Sequence, residues 1–241
     1  MKECLSSIDN VQRATSAVNY LITRPKSEMV GLGLIYGAPG LGKTRFAMRT
    51  AFKSGYLYIR LDSTMNQRSF LTKLYQALQY LYSVPQPIRG SRQKLYFEIV
   101  ELLIMAPDTV IFIDEIDYAF KDKALLGTIR DLVDETLCTI VLFGMQDAKA
   151  SLLRANAHYF DRCNSFCEFH KLSQADTALI VKDSCQVDVD KELVDWIHKS
   201  SKGTVRKIVK LVDYCERVAK AKNIKSLKLD DIHGYSEADA D

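Results

Sequence analysis

The stretch Gly37-Ala38-Pro39-Gly40-Leu41-Gly42-Lys43-Thr44 constrains this chain more than any other. It follows a short apolar run, Leu32 to Tyr36, and leads through Arg45 into Phe46-Ala47-Met48-Arg49-Thr50-Ala51, which reads as a helix. This is the full G-x-x-x-x-G-K-[ST] pattern in the strand-then-helix setting that it requires. Its glycines allow backbone angles closed to residues with a side chain, so successive N–H groups can turn toward one point. Those amides and the positive end of the following helix make a site for the phosphates of a nucleotide. Lys43 would bring its charge to the β- and γ-phosphates, and the Thr44 hydroxyl would ligate Mg²⁺. The bland alternative, a glycine-rich turn with a chance lysine, accounts for neither the spacing nor the setting. The sequence therefore predicts binding of a nucleoside triphosphate.

Around this loop, hydrophobic patterning gives the rest of the layout. Residues 6–24 read as a helix, with Ile8, Val11, Ala14, Val18 and Leu21 near the 3.6 period and Pro25 ending it. Residues 56–62 read as a second strand. Residues 66–82 read as an amphipathic helix with Phe70, Leu74, Ala77, Leu78 and Leu81 on its inner side. Val84-Pro85-Gln86-Pro87 reads as a loop, and residues 92–105 as a helix. Residues 109–113 make an apolar strand, 123–135 a helix, and 139–143 a strand ending at Gly144. Residues 146–162 are mostly helical, and Phe166 to Phe169 makes a short edge strand. Strands separated by helices of crossover length imply a five-stranded parallel sheet covered on both faces, with ligands at its C-terminal edge. After Leu172 no strand signal remains. Three helices follow (173–185, 190–200 and 204–222), with Ser173, Asp190 and Thr204 as caps. The expected division is an α/β nucleotide-binding domain over 1–171, an all-helical domain over 172–233 and a frayed acidic tail over 234–241.

The run Val110-Ile111-Phe112-Ile113-Asp114-Glu115 supplies the second half of the chemistry. A buried central strand delivers Asp114 to the sheet edge beside the phosphate loop, where it would hold Mg²⁺ through water. Glu115 lies one residue further, and strand alternation points it elsewhere, toward an attacking water that it would orient and deprotonate. Apolar strands often end in acidic residues, and it is the preceding phosphate loop that makes this pair informative.

Composition bounds the remaining classes. The 241 residues suffice for one sizeable α/β core and a small second domain, and 47% hydrophobic with 26% charged residues is ordinary for a soluble protein. No apolar stretch is long enough to span a bilayer, and the first residues carry no secretory pattern, so the expected place is the cytoplasm, away from membranes. Six scattered cysteines favour reduced thiols. Cys163, Cys167 and His170 lie close in sequence, but strand alternation sends the histidine to the opposite face, which argues against a zinc site. Tyr75, Tyr80 and Tyr82 fall at helical spacing and read as partly buried packing rather than a base-stacking platform. Between Lys199 and Lys228 ten basic residues face only Asp213 and Glu216, while the whole chain carries +3. A basic end on a mildly acidic body suggests a polyanion partner, the alternative being a solvated helix face.

Together the phosphate loop, Ile113-Asp114-Glu115-Ile116-Asp117, the strand ending in Gly144 and Gly203-Thr204-Val205-Arg206 resemble an AAA+ ATPase, over about residues 5–230. Within that superfamily the chain resembles the transposition protein B of Mu-like phages and the regulator ATPases of Tn7-like elements. The features shared with them are the compact size, the short helix after Asp-Glu-Ile-Asp, the Val-Leu-Phe-Gly-Met strand end and Tyr159-Phe160-Asp161-Arg162. The resemblance implies a P-loop NTPase core with a C-terminal helical lid, and ATP and Mg²⁺ as cofactors, bound by residues 37–45, Asp114, Gln146 and Arg206. It also implies slow ATP hydrolysis stimulated by assembly on DNA. Implied partners are duplex DNA, held non-specifically by its backbone, further copies of the chain in an ATP-dependent oligomer or filament, and a transposase. Arg162 falls where such proteins place an arginine finger, with Arg154 the second candidate. Arg206 falls where they place the lid's sensor arginine. The polar sensor that usually ends the fourth strand is replaced by Met145, so either Gln146 substitutes or the contact is absent. Helicase loaders and replication initiators share every one of these motifs; a nucleotide-gated switch with little turnover is the rival from another class, against which the intact Glu115 argues and for which Met145 argues mildly.

Overall fold

In the computed structural model, which describes residues 7–83, 91–155 and 160–232, backbone contacts divide the chain into two units. One unit comprises residues 14–37 and 43–168, and the other residues 1–13, 38–42 and 169–241.

The first unit is an α/β sandwich built on a five-stranded parallel sheet in the order β2-β3-β4-β1-β5. Its strands are β1 (Leu32–Gly37), β2 (Leu57–Arg60), β3 (Val110–Asp114), β4 (Thr139–Gly144) and β5 (Cys163–Phe169). Every residue of β1, β3 and β4 is buried, as expected of central parallel strands covered on both faces. The edge strand β2 instead alternates, with Leu57 and Ile59 buried and Tyr58 and Arg60 more exposed. The register pairs Leu34 with Leu142, Ile111 with Ile140 and Arg60 with Asp114, so all strands end along one edge. Phe46, Phe112 and Phe143 interlock in the core, with ring centroids 6.2 Å and 5.1 Å apart, and are fully buried. Truncating such a ring to alanine costs about 3–5 kcal/mol.

The connecting helices are α1 (Asp9–Ile22), α2 (Lys43–Ser54), α3 (Gln67–Tyr82), α4 (Arg92–Met105), α5 (Lys123–Thr136) and α6 (Ala148–Ala155), with a 3-10 turn over Ile116–Lys121. Asn66 starts α3 with a reciprocal cap involving Ser69. Phe70, Leu74 and Leu78 are buried as the periodicity predicts, but Leu81 is exposed. Of the three tyrosines only Tyr75 is packed inside. Tyr80 is 93% exposed and Tyr82 39%. Arg24 closes the turn after α1. Although 5% exposed, its guanidinium donates to Thr139 Oγ1 (2.8 Å) and to the Leu137 and Cys138 carbonyls (2.6 and 3.1 Å). The loop predicted over 84–87 and the tail over 234–241 lie outside the described residues.

The second unit contains α7 (Gln174–Ser184), α8 (Lys191–Ser201) and α9 (Val205–Lys222). Ser173 and Asp190 cap α7 and α8 through side-chain oxygens. Thr204 precedes α9 but does not cap it; its hydroxyl donates back to the Ser201 carbonyl at 2.9 Å. The expectation of a wholly helical second domain needs one correction. Asp188–Val189 (β6) and Ser226–Leu227 (β7) form a parallel pair too short to leave any periodic signal. Leu193, Ile197, Ile208, Leu211 and Cys215 make its core, which Ile8 and Val11 join. Asn10 holds this N-terminal turn in place, its amide donating to the His170 carbonyl (2.7 Å) and accepting from the His170 N–H (2.9 Å).

Cysteines 138, 163, 167, 185 and 215 are buried and form no disulfide. Burial pushes the Cys138 thiol up to about 11 and the Cys163 and Cys215 thiols to about 12, so these three stay protonated at neutral pH. Among the described residues no helix is long and apolar enough to cross a membrane.

Candidate functional site

The loop joining β1 to α2 has the backbone its sequence requires. Gly40 and Gly42 sit at φ values of 80° and 96°, where a side chain would strain the turn. The loop closes on itself through Lys43, whose ammonium donates to the Gly37 carbonyl at 2.7 Å and is largely buried. A lysine held against its own loop is pre-placed, and incoming phosphate oxygens would replace a neutral carbonyl with a charged acceptor. Thr44 and Arg45 follow as half-buried residues in the first turn of α2, and Ala38, Pro39 and Leu41 complete the turn. Residues 38–42 belong to the second unit. There the Gly40 carbonyl accepts from the Arg206 N–H at 3.1 Å, and a Cβ on Gly42 would sit 3.5 Å from Val205.

The acid pair is placed by two adjacent strands. Asp114 ends β3 at 3% exposure, and each of its oxygens accepts one hydrogen bond. Oδ1 takes the Glu115 N–H at 2.9 Å, and Oδ2 takes the Tyr58 hydroxyl at 2.8 Å. Burial, and then the charge of Asp114, push the Tyr58 hydroxyl well above the usual phenol range, so it is a donor at any working pH. Glu115 departs from the expected alternation. It has left the strand for the left-handed region, φ 59°, and opens the 3-10 turn. Its Oε1 pairs with an Arg60 Nη at 3.2 Å, with the carboxylate side chain 24% exposed and the arginine 60%. Arg60 in turn accepts from Lys73 Nζ through its carbonyl at 3.0 Å.

The end of β4 is organised by Asp117. Its Oδ2 accepts the Met145 N–H at 2.8 Å, and burial raises its pKa despite that bond and the nearby charge of Lys43. Gly144 permits this approach, since a Cβ there would lie 3.2 Å from Asp117 Oδ2 and 2.5 Å from Ala148. The Met145 side chain is exposed. Gln146 is already engaged, donating to Glu168 Oε1 at 2.7 Å, and Glu168 Oε2 accepts the Tyr36 hydroxyl at 3.4 Å.

The three arginines singled out in the sequence differ in setting. Arg162 donates through Nε to both oxygens of Asp134, at 2.8 and 2.7 Å, where α5 ends. Arg154 is exposed on α6 and donates to Ser151 Oγ at 3.2 Å. Arg206 is exposed in the first turn of α9. All ten basic residues between Lys199 and Lys228 have exposed side chains; Arg217 pairs with Asp213 at 3.2 Å and Lys222 donates to the Asp231 carbonyl at 2.6 Å.

Sequence reasoning missed Tyr58, Arg60 and Asp117. The first two belong to an edge strand and look there like ordinary boundary residues; only the register against β3 brings them to the acid pair. Asp117 was visible as the last member of Asp-Glu-Ile-Asp but had no assigned role.

A protein-family model described as AAA domain matches residues 28–152. Among curated proteins, the outer mitochondrial transmembrane helix translocase of Danio rerio is 34% identical over 138 residues, covering 50% of this chain and 33% of that protein. The chain thus corresponds to about a third of that relative's length. Among solved structures, the ORC2 protein of Aeropyrum pernix in its ADPNP–ADP complexes matches with a TM-score of 0.69 at 16% identity, over 96% of this chain and 68% of that one. The ORC1 protein of the same organism, solved in complex with DNA, matches at 0.62 and 17% identity, over 96% and 65%. At such identities the likeness to these structures is one of fold.

Proposed function

The chain belongs to the AAA domain family, and from that membership we propose that it is a Mg²⁺-dependent ATPase whose ATP-bound copies assemble on duplex DNA. The observation that carries the reading is the arrangement at the sheet's C-terminal edge. A lysine stands pre-placed on a glycine loop, and a buried aspartate has both oxygens oriented. The donor set fits Mg²⁺, since Thr44 and Asp114 offer only oxygen, and each Asp114 oxygen keeps a lone pair for a metal-bound water. Bound there, Mg²⁺ would neutralise charge on the β- and γ-phosphates. The chain's own residues do the rest. Residues 37–45 cradle the phosphates through their backbone N–H groups, Pro39 excepted, and Lys43 exchanges the Gly37 carbonyl for them. Glu115, once released by Arg60, orients the attacking water and takes its proton. Arg206 enters from the start of α9, and Arg162 leaves Asp134 to reach a neighbouring copy's nucleotide. With Gln146 engaged and Met145 in the sensor position, slow turnover is expected.

The exposed cations between Lys199 and Lys228 support contact with DNA backbone phosphates, read by charge and not by sequence. The rival surface for DNA is on the core, at Arg68 and Lys73 on α3 or at Lys121 and Lys123 beyond the acid pair; of these, Lys73 donates to the Arg60 carbonyl. The finer assignment, direction of a transposase to target DNA, rests on the resemblance to the transposition regulators. A replication-initiation or helicase-loading role is the second reading, and the fold match to an ORC1 protein solved with DNA favours it.

Electron microscopy with duplex DNA tests the common core of both readings. Rings or filaments are expected only with ATP or a non-hydrolysable analogue, and Lys43→Ala should abolish them together with nucleotide binding. Assembly indifferent to nucleotide, or undiminished nucleotide affinity in Lys43→Ala, would overturn the proposal. Co-purification with a transposase or with a replicative helicase then separates the finer readings.

A further inference from the structure

The hydroxyl of Tyr58 has one hydrogen-bond partner among the described residues, and that partner is Asp114. The bond crosses from β2 to β3. Because the register sets Tyr58 against Phe112 and Arg60 against Asp114, the tyrosine side chain reaches along the neighbouring strand to the carboxylate at its end. Asp114 is 3% exposed, so its carboxylate cannot draw freely on solvent for orientation. The Glu115 N–H fixes one oxygen from within the same chain segment, and Tyr58 fixes the other from outside it. With one donor on each oxygen, rotation of the carboxylate about its last bond would break both bonds. Packing does not call for the hydroxyl. Tyr58 lies half-buried on an edge strand, where a phenylalanine ring would fill the same space.

We propose that Tyr58 is a positioning residue for the Mg²⁺ site, holding Asp114 in the one orientation that leaves its free lone pairs available to the metal's water shell. This rests on the reading of Asp114 as the magnesium carboxylate. Hydrogen-bond partners of metal-binding carboxylates act in this way generally, and their loss typically weakens metal affinity by about 10–100-fold.

The test uses Mn²⁺ as the probe, titrated into the full chain with saturating ADP and followed by water-proton relaxation or electron paramagnetic resonance. ADP affinity in EDTA and the thermal midpoint are measured alongside. Tyr58→Phe should weaken Mn²⁺ binding by about tenfold while leaving ADP affinity in EDTA within about twofold. Asp114→Asn should weaken Mn²⁺ binding at least as much, and adding Tyr58→Phe to it should change nothing further, because the tyrosine acts through the aspartate. A purely structural tyrosine would lower the thermal midpoint and leave the Mn²⁺ constant alone, which overturns the proposal. Tighter Mn²⁺ binding in Tyr58→Phe overturns it as well, since the hydroxyl would then compete with the metal. If Asp114→Asn itself leaves Mn²⁺ affinity unchanged, the magnesium assignment of Asp114 falls and this inference falls with it. Loss in Asp114→Asn without loss in Tyr58→Phe removes only the inference.

Discussion

Asp134→Asn separates two roles for Arg162. In one, Arg162 braces the end of α5 through its ion pair; in the other, it leaves Asp134 to complete the nucleotide site of a neighbouring copy. The pair is well aligned, with Nε donating to both oxygens at 2.8 and 2.7 Å, but its side chains are 36% and 29% exposed. At that exposure it contributes about 1 kcal/mol at most. Asp134 also sits in the last turns of α5, where a negative charge opposes the helix dipole by about 0.3–1 kcal/mol. Neutralising it therefore removes two effects of opposite sign, and the thermal midpoint should hardly move. The fraction of chains in which Arg162 is not paired with Asp134 should rise by up to about fivefold. If that arginine acts across subunits, phosphate release at limiting protein concentration should rise by a similar factor, since a larger fraction of copies is competent. Arg162→Ala should lose turnover by about 10³-fold or more, and the double variant should resemble it. The assay is steady-state phosphate release over a protein concentration series with saturating duplex DNA. Turnover preserved in Arg162→Ala would refute the assignment and move attention to Arg154. Turnover lost in Asp134→Asn as deeply as in Arg162→Ala would make the pair a brace.

Glu115→Gln should bind ATP normally, hydrolyse it about 10²–10⁴-fold more slowly and accumulate assemblies on DNA, as seen by sedimentation; wild-type turnover would exclude Glu115 as the base. Arg60→Ala removes a pair whose arginine is 60% exposed, so DNA-free turnover should rise by no more than about fivefold. A tenfold fall would mean that Arg60 contributes to the site directly. Charge reversal at Lys207 and Lys210, sparing Arg206, should weaken ATP-dependent DNA binding and flatten its salt dependence, because each neutralised phosphate contributes about 0.9 to the logarithmic slope. An unchanged slope would transfer the DNA surface to Arg68, Lys73, Lys121 or Lys123.

The parts legible in the sequence are those whose physics is local. Val110 to Ile113 and Thr139 to Phe143 read as central strands because burial on both faces leaves no polar alternation. The phosphate loop is legible because its glycines, lysine and threonine act within eight consecutive positions. What depends on register or on distant partners is not legible. Nothing near Tyr58 or Arg60 in the chain marks them as neighbours of the acid pair, because that follows from how β2 lies against β3. Arg162 looks free in a sequence that cannot show Asp134 beside it. Leu81 obeys the helical period of α3 yet is exposed, since periodicity identifies a face and not how far the neighbouring structure covers it. β6 and β7, two residues each, lie below the length at which any pattern exists.

The two carboxylates of the acid pair are set apart by an unfavourable backbone angle. Glu115 in the left-handed region costs about 1 kcal/mol or more for a residue with a side chain. That conformation ends the strand at Asp114 and accompanies the bond from the Glu115 N–H to Asp114 Oδ1, which satisfies a buried carboxylate oxygen. Leaving such an oxygen without a donor would cost about 1–3 kcal/mol, so the bond is of the size needed to offset the strain. It also separates the two carboxylates by direction. Asp114 stays inside under Tyr58, while Glu115 swings out to Arg60. Alternate residues of one edge strand therefore hold the two groups, one by a neutral hydroxyl and one by a cation. The first hold is buried and specific. The second is more exposed and weak, so it opens at little cost. On an ideal strand alternation alone would give an adjacent Asp-Glu pair opposite orientations. Here the Tyr58 tether follows from the register of β2 against β3, and the left-handed turn at Glu115 accompanies the second donor on Asp114. Glu115→Gly is therefore expected to relax the turn, and in a phosphate-release assay it should turn over ATP no faster than Glu115→Gln; faster release would exclude Glu115 as the base.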